Sequence, residues 1–151
     1  MKPDVQALLL AERIWQIGSE GYIIAGTFTS VRIVKDVAHK VVEDDTGNTT
    51  KYVTSGSAGA PWVYVSLTNV NSVTSIQLQF TCLKKNRTLF GMPVEIECKD
   101  RLATVEMALQ LPDLRDYITG EEGYYAMEVI SEGEIIGSCR INTYYKDNTG
   151  E

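Results

Sequence analysis

The side chains able to do covalent chemistry in this sequence are few. His39 is the single histidine, and Cys82, Cys98 and Cys139 are the three thiols. Nucleophilic catalysis needs a base held beside the nucleophile, the arrangement of Cys–His and Ser–His–Asp enzymes. His39 falls in a long polar segment, whereas each cysteine sits on an apolar position of an alternating run. No GxSxG occurs. A zinc site needs three or four ligands at motif spacing, and three scattered cysteines with one histidine supply none. Calcium takes oxygen ligands from acidic loops. Asp44, Asp45 and Asn48 form one candidate group, and Asp113, Asp116, Glu121 and Glu122 another. Neither follows the DxDxDG pattern, and solvated surface acids account for both. Phosphate loops are absent too, because Ser55–Ala60 lacks the GxxxxGK[ST] lysine and the helix that must follow. The expectation is a protein without catalytic residues, metal or cofactor.

Aromatic side chains are the remaining functional candidates. Tyr64, Tyr124 and Tyr144 take the outward parity of their runs, Trp62 opens a run, and Trp15 lies near a turn. Exposed rings stack on sugars or anchor protein partners; they also cover sheet faces. Trp62, Tyr64, Tyr124, Tyr144 and His39 are therefore the candidate interaction surface. Tyr125 has the opposite parity and is expected to pack inward.

The elements that must position these residues show period-two alternation, the mark of half-buried strands. Ile76, Leu78, Phe80 and Cys82 alternate with Gln77, Gln79 and Thr81. After the turn Lys84–Arg87, the residues Phe90, Met92, Val94, Ile96 and Cys98 alternate again, with Pro93 marking an edge or a bulge. Val105–Leu111, Tyr125–Val129 and Ile135–Tyr145 follow, separated by turns at Lys99–Arg101 and Ser131–Glu134. Leu111–Thr119 has room for one short helical turn. Upstream lie Val5–Glu12, one long strand Tyr22–Val34 with a bulge or close approach at Gly26, and Trp62–Thr68. The result is an all-β chain of about eight strands, an antiparallel β-sandwich of immunoglobulin-like or C2-like type, with a closed barrel as the alternative.

The 151 residues suit one domain. Residues 35–60 form an unusually long connection, within which Lys40–Glu43 and Thr50–Val53 read as a small hairpin around Asp45–Asn48. Fourteen basic against twenty acidic residues give a net charge of −6. Dispersed bases in an acidic chain argue against nucleic acid. No run approaches the roughly 20 apolar residues of a membrane span, and Val5–Ala11 is too short for the core of a secretion signal. The expected setting is cytoplasmic, with free thiols; a Cys82–Cys98 disulfide is the alternative if their strands pair closely.

Two stretches carry a resemblance. The opening reads Ala7-Leu8-Leu9-Leu10-Ala11-Glu12, then Gly21, then Ile24-Ala25-Gly26-Thr27-Phe28. The closing reads Leu109-Gln110-Leu111-Pro112, then Glu122-Gly123-Tyr124-Tyr125-Ala126-Met127, then Ile136-Gly137, with Val63–Leu67 between the two. Together they resemble a family of bacterial β-sandwich domains of unknown function (DUF6941-like). The resemblance implies a fold and no activity, so it assigns no site residues. The functional expectation is a protein-interaction or self-association module, a homodimer included. The alternative is a module for a small ligand or carbohydrate, assisted by calcium.

Overall fold

The computed structural model describes residues 2–19, 21–34, 42–43, 49–50, 59–118 and 123–146. Eleven strands lie within them: β1 (Asp4–Ile17), β2 (Gly21–Thr27), β3 (Ser30–Val34), β4 (Val42–Glu43), β5 (Thr49–Thr50), β6 (Trp62–Thr68), β7 (Ser72–Cys82), β8 (Arg87–Cys98), β9 (Val105–Gln110), β10 (Gly123–Ser131) and β11 (Glu134–Lys146). Two sheets carry nine of them, in the orders β2-β1-β6-β9 and β3-β11-β10-β7-β8. Four strands facing five is the strand count of a variable-type immunoglobulin sandwich. Both sheets have open edges, so the barrel alternative does not hold. The remaining pair, β4 with β5, registers Val42 to Thr50 and Glu43 to Thr49; the rest of the hairpin expected over Lys40–Glu43 and Thr50–Val53 lies outside the described residues.

Alternation is what brings the sheets together. Val63, Val65 and Leu67 of β6 point to the same interior as Ile76, Leu78 and Phe80 of β7 and Met127 and Val129 of β10. Across that interior the aromatic rings form a row. Phe80 stacks on Tyr125 (centroids 5.5 Å, planes 11° apart) and on Phe90 (5.4 Å, 28°), and Phe90 meets Tyr117 at 4.7 Å. Tyr125 is thus inward, as its parity required. The 3₁₀ turn Leu114–Asp116 closes one end of the core with Leu114. Asp113 caps that turn by accepting from the Arg115 N–H at 3.0 Å.

Three expectations need correction. Tyr22–Val34 is two strands in different sheets. Gly26 stands opposite Glu12 at φ +71°, so close that an added Cβ would lie 2.9 Å from the Glu12 side chain. Phe28 N–H then donates to Leu10 O (3.2 Å), and one residue later Thr29 O accepts from Asn142 N–H (2.9 Å). Within these two residues the chain exchanges β1 for β11 as its partner. The second correction follows from the first: β3 runs parallel to β11, so the larger sheet is mixed. Third, β1 continues to Ile17 rather than ending at Glu12. Trp15 is therefore a strand residue paired with Ile23, and Arg13 sits over its ring at 5.4 Å.

The second crossing near a sheet edge runs from β8 to β9 through Lys99–Thr104. Asp100 holds it, accepting the Leu102 N–H on its side chain (2.9 Å) and the Ala103 N–H on its carbonyl (3.0 Å). β8 is an edge strand, which accommodates Pro93. All three cysteines are free. Although β7 and β8 pair, Cys82 lies opposite Arg87 at one end of the hairpin and Cys98 opposite Ser72 at the other, so the alternative disulfide cannot close.

Phe80 is fully buried in the centre of the aromatic row, so Phe80→Ala removes ring contacts on two sides. It should cost about 3–5 kcal/mol in urea unfolding, while Leu102→Ala on the exposed turn should change stability by less than about 0.5 kcal/mol. Burial pushes the Cys139 thiol up to about 11. In denaturant without reductant, three thiols should titrate with a disulfide reagent. In the native protein Cys139 should react slowly at pH 8 and faster as the pH approaches 11.

Candidate functional site

The aromatics singled out in the sequence divide between the two outer faces of the sandwich. Trp62 and Tyr64 lie on the outer face of the four-stranded sheet, opposite Ala11 and Leu9 of β1. That face is covered by the molecule's own β1–β2 hairpin. Tyr22 is paired with Gln16 near the hairpin tip, whereas Tyr64 is paired with Leu9. Seven extended residues span about 23 Å, yet the Tyr22 and Tyr64 rings meet edge-to-face at 5.8 Å. The hairpin must therefore curl back over its own sheet, with Gly26 at the bend. Ile14, only 5% exposed although outside the central core, is enclosed by the same curl. Tyr64 donates to Glu106 Oε2 at 2.5 Å, and Tyr22 donates to the Glu106 carbonyl at 3.4 Å. Desolvation, then the bond to Glu106, pushes the Tyr64 phenol up to about 12. Tyr64 is thus engaged within the molecule by Tyr22 and Glu106, and Trp62 is half-buried on the same face.

Tyr124 and Tyr144 are brought together on the other face. Tyr124 lies opposite Asn142, Tyr144 is two residues further along β11, and Arg140 is two residues back. Pleating sends all four side chains to one side, while Tyr125 and Ile141 enter the core and Thr143 is buried. The end of β10 is held in three ways. Thr143 Oγ1 donates to the Gly123 carbonyl at 3.1 Å. Leu83 N–H donates to Tyr124 O at 3.0 Å, fixing the β7–β8 turn beside it. Gly123 takes φ +150°, open to glycine, with the Lys84 stem 3.8 Å from where a Cβ would stand.

The result is a wide, open depression of about 800 Å³ lined by Leu83, Lys84, Gly123, Tyr124, Arg140, Asn142, Thr143 and Tyr144. Tyr124 is 54% exposed and Tyr144 42%. Arg32 of β3 flanks Tyr144 in register, on the same face. Among the described residues, the side chains of Lys84, Arg140 and Arg32 have no hydrogen bond or ion pair, whereas Lys2 pairs with Glu134 and Arg115 with Asp113. Further along β10 the face is closed by small or tethered groups. Ala126 is buried, and Glu128 accepts from Thr81 Oγ1 at 2.8 Å and from Gln79 Nε2 at 3.4 Å.

This arrangement offers rings, cations and an amide to a ligand. Neither a nucleophile with a base nor a group of three or more His, Cys, Asp or Glu residues suited to a metal occurs among the described residues. Asp113 is held by Arg115 (Nε 2.8 Å, Nη2 2.6 Å). His39, Asp44, Asp45, Asn48, Glu121 and Glu122 lie outside the described residues. No helix among the described residues is long and apolar enough to cross a membrane. Sequence reasoning missed Arg140, Asn142 and Arg32. The signal available was their outward parity: 140, 142 and 144 alternate on one strand.

No family model matches the chain, and no curated protein matches it. Among solved structures it is similar to an immunoglobulin-like protein from Pseudomonas aeruginosa, with 10% identity and a TM-score of 0.43 over 95% of this chain and 98% of that one.

The half-buried Tyr64 environment should be visible in a spectrophotometric titration. Tyr64 should ionise near 12 and the wild-type protein should show this late step; Glu106→Gln should bring it down part of the way, because burial remains. A phenol whose folded pKa is raised contributes stability fully present below pH 10 and lost as the pH climbs through about 12. The wild type should therefore lose stability over that window more steeply than Tyr64→Phe.

Proposed function

We propose that the protein is a non-catalytic binding module that engages a protein partner, a second copy of itself included, through the Tyr124–Tyr144 depression. One observation carries the reading: two largely exposed tyrosines are set side by side on rigid paired strands, next to cations with no internal partner. Tyrosine and arginine are enriched among the residues that dominate interface energies. Tyrosine presents a large apolar ring with a polar tip at small entropic cost. Trp62 and Tyr64, on the outer face of the other sheet, have no part in this surface. Three free thiols support a reducing, cytoplasmic setting. Kinship with the bacterial β-sandwich family that the two ends of the chain resemble is part of the same proposal.

A second reading rests on Asn142, an amide that lies opposite Tyr124 and two residues before Tyr144, since an amide beside exposed rings also suits a saccharide. A glycan panel, with and without calcium, distinguishes it by a shift in melting temperature that the first reading does not require.

Light scattering on freshly reduced protein, followed by capture from a native lysate, tests the first reading. The expected result is a dimer returned to monomer by Tyr124→Ala with Tyr144→Ala, or a monomer whose retained partner the double variant loses. Removal of such anchors costs about 2 kcal/mol or more, roughly thirtyfold in affinity. A monomer that retains nothing, or a partner held equally by the double variant, overturns it.

A further inference from the structure

We infer that the depression takes an acidic, extended segment of a protein partner, four or five residues crossing the strands from Lys84 to Arg32. The inference rests on the module reading and specifies its partner.

Charge carries it. The chain is acidic, with a net charge of −6, yet three cations from separate elements meet on this one face. Lys84 comes from the β7–β8 turn, Arg140 from β11 and Arg32 from β3. None is neutralised by a described side chain, and among the described residues that line the depression there is no carboxylate. Lys84 and Arg140 line the depression together with Tyr124 and Tyr144, and Arg32 flanks Tyr144 on β3. Arginine fits a carboxylate bidentately, and a lysine serves as a point charge. An acidic segment laid across them gains both contacts, while its stems and backbone pass over the rings.

Geometry sets the length. The line from β7 to β3 crosses β10 and β11, three strand spacings in all. At about 4.8 Å each this is roughly 14 Å, the reach of four or five extended residues. The open side of the depression admits a chain that enters and leaves. A compact anion would engage one cation and leave the others unmatched. The protein's own acidity opposes any acidic partner at long range, so attraction must come from these local charges and must be sensitive to salt.

The test is fluorescence anisotropy with labelled hexaglutamate, hexaglutamine and hexalysine on the whole chain, with melting temperature confirming that each variant is folded. Hexaglutamate should bind about tenfold more tightly than hexaglutamine, hexalysine should not bind, and raised salt should weaken the complex. Arg140→Glu and Lys84→Glu should each weaken it about fivefold to tenfold, while Lys99→Glu on the distant β8–β9 turn should leave it unchanged. Equal binding of hexaglutamine, indifference to Arg140→Glu, or citrate competing as well as the hexapeptide overturns the acidic-segment assignment. So does a dimer that Arg140→Glu dissociates, since the occupant is then a second copy. If a partner from lysate is lost with Tyr124→Ala yet survives Arg140→Glu and high salt, the module reading stands and this inference fails. If Tyr124→Ala has no effect on any captured protein, the module reading itself fails.

Discussion

The stack of Phe80 on Tyr125 governs both the inside and the outside of the larger sheet. Tyr125 can lie 5.5 Å from Phe80 with its ring nearly parallel only if β10 is in one register against β7. A slip of one residue would turn Tyr125 to solvent and Tyr124 into the core, because side chains alternate across a pleated strand. Packing of a buried ring therefore decides where an exposed ring goes. Phe90 and Tyr117 extend the row to β8 and the end of the 3₁₀ turn, so β7 is held in register by ring contacts to the strands on either side of it. The depression is precise because it is the reverse of a well-packed interior, built on strands rather than on a loop.

Much of the fold could be read in the sequence, and the reason is local. Alternation in Ser72–Cys82 and in Val105–Gln110 is a property of a few neighbouring residues, and so are the turns that bound them. What could not be read was partnership. Ile24, Val31 and Ile33 look like parts of one strand, because nothing in residue type marks the point where the hydrogen bonds of Phe28 and Thr29 go to different sheets. Parallel pairing of β3 with β11 joins segments more than a hundred residues apart. The same limit applied to the thiols: Cys82 and Cys98 belong to paired strands, but hairpin register sets them at opposite ends.

The candidate site was legible to about the same depth. Outward parity identified Tyr64, Tyr124 and Tyr144 correctly as facing away from the core. Parity cannot say which outer face is free. The curl of the β1–β2 hairpin, made by a glycine and felt through the Tyr22–Tyr64 contact, converts one set of outward aromatics into a second, smaller packing layer. The other set keeps its exposure. Arg140 and Arg32 passed unnoticed because they come from strands that are neighbours only in space, so their convergence with Lys84 exists only in the folded chain.

The two crossings at the sheet edges have a mechanical meaning. At one margin the main chain passes from β2 to β3 through Phe28–Thr29, and at the other from β8 to β9 through Lys99–Thr104. The sandwich is joined along both seams by short spans of backbone, so at each margin an edge strand of one sheet is tied to an edge strand of the other. Fluctuations that admit water between them must first break strand pairing near a seam, where Asn142 and Asp100 hold the thread. Local opening at either margin is then resisted by the strand pairing beside it.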